Sequence, residues 1–270
     1  INNKRAQSRI ATPTQRVFLL MSQFKTIDDL DVAGKRVLVR ADLNVPMKDG
    51  KVTDSTRIDR TVPTLTELTG KGARVVVMTH FGRPKGQVVA EMSLAPVAEA
   101  LSKACGKPVG FATDTVGDSA RQLISEMNDG DIVMLENLRF NPGEEANDKD
   151  FTAELATLGD AYVSDAFSCS HRAHASTEGL AHLMPAAAGR LMQVEVESLA
   201  AALEIPTPPV AAVVGGAKVS TKMEVLGNLA SKVDVLIIGG GMANTFLFAQ
   251  GIDVGNSLCE QDMADQARGI

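Results

Sequence analysis

From Lys35 onward, short apolar runs rich in β-branched residues alternate with stretches in which apolar residues recur at helical spacing. This alternation predicts strands at 36–39, 75–78, 108–111, 132–135, 161–163, 211–214 and 235–238, with helices at 57–68, 94–104, 118–127, 148–158, 191–203 and 219–230. In the first helix Ile58, Val62, Leu65 and Leu68 share one face, and Ser93 is the expected N-cap of the second. Strands that are apolar on both faces and separated by helices require parallel sheets covered on both sides. The expected fold class is therefore α/β, with parallel-sheet, Rossmann-like units.

Pro206, Pro208 and Pro209 follow directly on the helix expected at 191–203 and mark a boundary. They divide a complete-looking unit at 21–190 from a second unit at 210–270. Residues 191–209 then read as an interdomain helix and hinge. The second unit shows two strands, which cannot bury both faces of a sheet, so it is expected to be the start of a larger domain. Residues 1–20 carry Lys4, Arg5, Arg9 and Arg16 and no acidic residue, and read as a presequence or an artefactual extension.

Composition narrows the function. Hydrophobic residues make up 44%, enough for a sizeable core, but aromatics are 4% with no Trp, which removes the usual stacking platform for single-stranded nucleic acid. The formal net charge of −6 is not that of a general nucleic-acid binder, which is usually basic overall. The longest uncharged run, 235–252, holds three consecutive glycines with Asn, Thr and Gln and reads as strand, loop and helix start rather than a membrane span. Cys105, Cys169 and Cys259 are scattered and odd in number, which fits a reducing cytoplasm.

In open α/β sheets ligands bind beyond the carboxyl ends of the strands. Residues following the expected strands include Arg40, Asp42 and Asn44; His80, Phe81, Gly82 and Arg83; Glu136, Asn137 and Arg139; and Asp165, His171, Arg172 and His174. Arg57 opens the first helix. Guanidiniums gathered at one sheet edge of a net-acidic chain make a site for a small, multiply charged anion, because their forks match carboxylate and phosphate oxygens. Any one of them could equally pair with a nearby carboxylate. In the second unit Gly215-Gly216-Ala217-Lys218 leads to Lys222 between a strand and a helix, a phosphate-type turn that matches neither a Walker loop nor the dinucleotide fingerprint. Lys218 and Lys222 are expected on one helix face. Gly239, Gly240 and Gly241 form a second close-approach loop. Cys169, His171 and His174 lack the partners and spacing of a zinc site, and no metal-ligand set is assigned. No nucleophile motif is present. Phosphoryl transfer to a carboxylate needs no general base, because the acceptor is already ionised, and requires only positioning and charge neutralisation.

The motifs Arg40-Ala-Asp-Leu-Asn-Val-Pro46, His80-Phe-Gly-Arg-Pro84, Leu135-Glu-Asn-Leu-Arg-Phe140, Asp165-Ala-Phe with His171-Arg-Ala-His174, Gly215-Gly-Ala-Lys-Val219 and Gly239-Gly-Gly-Met-Ala243 resemble, in order and spacing, those of phosphoglycerate kinase of the bacterial type. The match runs from about Met21 to the last residue. The resemblance implies reversible phosphoryl transfer between 1,3-bisphosphoglycerate and ADP, giving 3-phosphoglycerate and ATP, a step of glycolysis. It assigns Asp42 and Asn44 to the glycerate hydroxyl and carboxyl groups, and Arg57, His80, Phe81, Gly82, Arg83, Arg139 and Arg172 to the substrate site. Arg57 and Lys222 would act on the transferring phosphoryl group. Lys218 would contact nucleotide phosphates, and Gly216, Ala217, Gly240 and Gly241 would line the nucleotide cleft. Mg²⁺ would accompany the nucleotide, with its protein contact in family segments not among these residues. A monomer that closes about its hinge to exclude water is implied, and residues 1–270 alone are expected to have negligible kinase activity.

Two other readings remain at this stage: an NAD(P)-dependent α/β oxidoreductase, which needs Gly-x-Gly-x-x-Gly and an acidic residue about twenty positions on, and a non-catalytic fragment that binds glycerate phosphates.

Overall fold

The computed structural model describes residues 24–203 and 206–270. The extension expected over residues 1–20 lies outside the described residues, as do Glu204 and Ile205 at the proline-rich boundary. The chain forms two compact units that part between Glu197 and Ser198, inside the helix Arg190–Leu203.

The strands are β1 (Arg36–Ala41), β2 (Met47–Lys48), β3 (Lys51–Val52), β4 (Arg74–Met78), β5 (Val109–Phe111), β6 (Ile132–Met134), β7 (Ala161–Asp165), β8 (Ala186–Ala188), β9 (Ala211–Gly215) and β10 (Val235–Gly239). Six of them make the parallel sheet of the first unit, in the order β5-β6-β4-β1-β7-β8. From β1 the chain builds outward through β4, then crosses to the other side of β1 to lay down β7. The topological switch point therefore falls at β1, and the rule for open α/β sheets places the ligand site beyond its carboxyl end.

Strand alternation explains the core. Val37, Val39 and Ala41 of β1 join Val75, Val77, Ile58, Leu65, Val97 and Leu101 on one face. Leu38 joins Val76, Met78, Val133, Ile124, Leu155 and Tyr162 on the other. Both faces are covered, as an all-parallel sheet demands.

Several element ends differ from expectation. The helix after Ser93 runs Ala95–Cys105, and its N-cap is Leu94 with no side-chain bond. Ser93 Oγ is engaged by Glu136 Oε2 at 2.6 Å, although it also accepts from the Ala95 amide at 3.3 Å. The strand β8 was not anticipated. It takes its partners from β7 on one side and receives the Lys25 carbonyl on the Ala188 amide on the other (2.8 Å).

In the second unit β9 and β10 pair in parallel, with Gly215 opposite Gly239. Val214, Val219, Leu226 and Met242 form its small core. The helix expected from 219 begins only at Met223, with Lys222 in the N-cap position. Lys218 and Lys222 therefore do not share a helix face. They flank a turn closed by the Lys222 amide on the Val219 carbonyl (2.9 Å).

Candidate active site

Arg40 is the penultimate residue of β1, and alternation aims it at the face of Leu38, where it is 1% exposed. A buried guanidinium must find acceptors. Its Nε donates to Ser176 Oγ at 2.8 Å, Nη1 to the Ala41 carbonyl at 2.5 Å and Nη2 to His80 Nδ1 at 3.1 Å. Ser176 passes the compensation on. Its Oγ and amide donate to the two oxygens of Glu144, at 2.6 and 3.0 Å, and Glu144 is itself fully buried. The charges of Arg40 and Glu144 thus meet through one hydroxyl.

His80 ends the loop entry after β4. Because Arg40 can only donate, Nδ1 accepts and the ring proton sits on Nε2. Burial, followed by the charges of Arg40 and Arg139, pushes the His80 pKa down to about 3, so the imidazole is neutral. The Arg172 charge acts on it in the same direction.

Asp42 stands beside it. Its Oδ2 accepts from Arg57 Nη1 at 2.7 Å and from Ser168 Oγ at 2.5 Å, and Oδ1 accepts from the Asn44 amide at 3.3 Å. Burial favours the neutral acid, but the Ser168 hydrogen bond and the nearby Arg57 charge outweigh it and hold the carboxyl below its ordinary range.

The loops are tied to one another by side-chain amides. Asn44 Oδ1 accepts from the Gly82 amide (3.1 Å). The fully buried Asn137 accepts from the amides of Phe81 and Arg139, both at 3.1 Å, and donates to the carbonyls of Phe81 (2.8 Å) and Met92 (3.0 Å). Arg139, nearly buried, donates from Nη1 to the Gly82 carbonyl at 2.7 Å, and Glu145 lies 3.1 Å from its Nε. Gly82 has φ +60°, a backbone conformation that favours glycine, and a Cβ there would press to 2.9 Å on Met92 Sδ. Arg83 is exposed and Arg172 half-buried, and among the described residues neither guanidinium has a hydrogen-bond or ion-pair partner.

The structure thus brings Arg40, Asp42, Asn44, Arg57, His80, Phe81, Gly82, Arg139 and Arg172 to the carboxyl edge of one sheet, and Arg83 lies in the same loop as Gly82. Ser168, Glu144 and Ser176 are supporting residues that the motifs did not single out, while Asn137, named there, turns out to tie the loops together. The three cysteine and histidine candidates separate: His171 is exposed, His174 Nδ1 lies 3.8 Å from Glu144 Oε1, and Cys169 is buried near Arg40. Instead, Asp42, His80 and Cys169 bring donor atoms within 4.8 Å of one another. That set suits Mg²⁺ poorly, because Mg²⁺ prefers oxygen ligands and here a thiol and an imidazole sit among guanidiniums.

In the second unit, Gly216, Ala217, Gly240 and Gly241 come together where β9 and β10 end. Gly240 has φ +67°, and a Cβ there would meet the Gly216 carbonyl oxygen at 2.9 Å. The Met242 amide donates to that carbonyl at 3.0 Å, opening the helix Gly241–Ala249. Lys222 Nζ lies on the Gly215 carbonyl (3.2 Å), and Lys218 is exposed on the same loop. The result is a backbone-lined pad at a helix N-terminus with two cations beside it, the chemistry of a phosphate site.

Known proteins carry the same pattern. The phosphoglycerate kinase family model matches residues 27–270. The phosphoglycerate kinases of Rhodospirillum centenum and Rhizobium meliloti are 64% and 62% identical to the chain, each covering 92% of it. The chain spans 62% of the length of these relatives. The structure of phosphoglycerate kinase from Coxiella burnetii superposes with a TM-score of 0.82 at 46% identity, over 91% of this chain and 62% of that one. The Pyrococcus horikoshii phosphoglycerate kinase gives 0.77 at 32% identity, over 91% and 64%. None of these comparisons supports the dinucleotide-dependent oxidoreductase reading. With the family model matched from Ile27 to the last residue, this chain belongs to the phosphoglycerate kinase family.

Proposed function

We propose that the chain carries the glycerate-phosphate site and the beginning of the nucleotide site of an enzyme that moves a phosphoryl group between 1,3-bisphosphoglycerate and ADP. The observation that supports this most is geometric: Arg40 Nη2 lies 3.1 Å from His80 Nδ1, Arg57 Nη1 lies 2.7 Å from Asp42 Oδ2, and Arg139 Nη1 donates to the Gly82 carbonyl at 2.7 Å. Such an edge attracts a trianion of the size of 3-phosphoglycerate. Asp42 and Asn44 orient its hydroxyl and carboxyl groups. His80, Phe81, Gly82, Arg83, Arg139 and Arg172 hold its far phosphate and exclude water. A neutral His80 with its proton on Nε2 serves as a hydrogen-bond donor without adding charge.

Arg57 is the catalytic cation of this unit. Its ion pair with Asp42 holds it at the mouth of the site, half-exposed and able to turn toward a transferring phosphoryl group. The acceptor carboxylate is ionised at neutral pH, so no base is needed, and catalysis is charge neutralisation in a dry site. On the nucleotide side Lys222 takes the transferring group and Lys218 the nucleotide phosphates, while Gly216, Ala217, Gly240 and Gly241 let the nucleotide approach the backbone. Residues 191–209 act as the hinge. Mg²⁺ belongs with the bound nucleotide, but the described residues offer it no fitting ligand set. A monomer in a reducing cytoplasm fits the three free cysteines.

Calorimetric and thermal-shift titrations test the reading. 3-Phosphoglycerate binds and raises the melting temperature, Arg57→Gln and Arg172→Gln weaken that binding, and ADP stabilises where NAD does not. Stabilisation by NAD alone contradicts it.

A further inference from the structure

The sheet of the first unit opens on arginines at its other end as well. Arg36 begins β1, Arg74 begins β4, and the two are direct partners in the parallel register. Alternation places both on the face of Leu38 and Val76, the face that the helix Asp118–Ser125 covers. From that helix Arg121 projects one turn before Ile124. Arg36, Arg74 and Arg121 line a cavity of 340 Å³ together with Ile124, Leu158 and Thr157.

Like charges at directly opposed sheet positions repel, and the local compensation is incomplete. Arg36 is satisfied by Asp160, with Nη2–Oδ1 at 2.6 Å and Nε–Oδ2 at 3.1 Å, and by the Thr157 carbonyl at 3.2 Å. Arg74 donates from Nη2 to the Gly34 carbonyl at 2.5 Å, but its buried Nε makes no hydrogen bond, and its nearest carboxylate, Asp129, stands 3.6 Å away. Arg121 is exposed and has no side-chain partner among the described residues. The guanidiniums outnumber the two carboxylates, and most of the N–H groups of Arg74 and Arg121 are unclaimed.

We propose that this cavity is a second anion site, for a free inorganic polyanion of the phosphate class and of the size of pyrophosphate. Several oxygens on a compact ion can bridge three guanidiniums at once, which single carboxylates cannot do. The volume is at the small end for ligand pockets (about 300 to 1,000 Å³), which suits an inorganic ion. The site is independent of the glycerate-phosphate edge. Arg36 and Arg40 lie at the two ends of β1, roughly 13 Å apart at about 3.3 Å per residue, beyond the range over which substitutions usually couple.

The test is calorimetric titration of the 270-residue chain with inorganic pyrophosphate, in the wild type and in Arg121→Gln, Arg57→Gln and Lys149→Gln. Arg121 and Lys149 are exposed, so both variants fold. In the first unit of the wild type two sites are expected, apart from the phosphate turn at Lys218 and Lys222, which none of these variants touches. Arg121→Gln weakens one by about tenfold, the scale of a lost charge-assisted hydrogen bond, and spares the other. Arg57→Gln does the reverse, and Lys149→Gln, a control for net charge, changes neither. Isotherms of Arg121→Gln that match the wild type overturn the second site, as does an equal loss in Lys149→Gln. A response to Arg121→Gln with none to Arg57→Gln supports this site and counts instead against the proposed function.

Discussion

Arg40 Nη2 lies 3.1 Å from His80 Nδ1, and this contact settles the tautomer of the one histidine in the site that is buried against a cation. It also sets how the protein responds to acid. The native pKa of His80 is about 3 against 6.5 for the free side chain. Between those values the unfolded chain takes up a proton that the native state refuses, so stability is full above the unfolded pKa and falls as pH drops below it. Urea unfolding at about pH 7 and about pH 5 should show a wild-type loss exceeding that of His80→Gln by about 1–2 kcal/mol. Equal losses in the two proteins contradict this.

Glu144 is the buried counter-charge of Arg40, reached through Ser176. Removing it strands a guanidinium with no access to water. Glu144→Ala should cost about 3–5 kcal/mol in urea unfolding, while Glu144→Gln, which keeps an acceptor for Ser176, should cost less. The neighbouring Glu145, half-exposed beside the buried Arg139, should cost less than Glu144→Ala on the same change to Ala, because its own carboxylate is already partly in water.

Asp165 ends β7 and caps the helix Arg190–Leu203, accepting from the amides of Leu191 (2.9 Å) and Met192 (3.1 Å). A Cβ on Gly189 would lie 2.3 Å from the same carboxylate oxygen. Asp165→Ala should therefore cost about 1–2 kcal/mol and speed hydrogen exchange at the Leu191 and Met192 amides. Unchanged exchange there would show that the cap is not what holds the helix start.

How much of this was written in the chain varies by residue. Arg40, Arg83 and Arg139 at the carboxyl edge were legible because each ends or closely follows an apolar strand run, and topology then fixes which end carries chemistry; Arg57 was found at the start of the following helix. β8 was not legible, since Ala186-Ala187-Ala188 has no β-branched signature and becomes a strand only by pairing with β7. Nor was the difference between Glu144 and Glu145: adjacent carboxylates on a short helix look equally solvated until Ser176, 32 residues on, claims one of them. The helix after Gly215 was placed too early because propensity says nothing of the turn that the Lys222 amide closes on Val219.

Gly240 takes a left-handed φ and presses on the Gly216 carbonyl. Gly240→Ala should cost about 1–3 kcal/mol through backbone strain and weaken ADP binding, while 3-phosphoglycerate binding stays at the wild-type level. Both are read by titration calorimetry, and a variant that binds ADP as the wild type does would remove these glycines from the nucleotide site.

The central claim is that guanidiniums from separate loops share one small polyanion at the carboxyl edge of the sheet. Amide chemical shifts followed during titration with 3-phosphoglycerate test it most directly. The account predicts saturable shifts at Asn44, Gly82, Arg139 and Arg172, lost together in Arg57→Gln/Arg172→Gln. Shifts confined to other parts of the chain, or an unaltered response in that double variant, would contradict it.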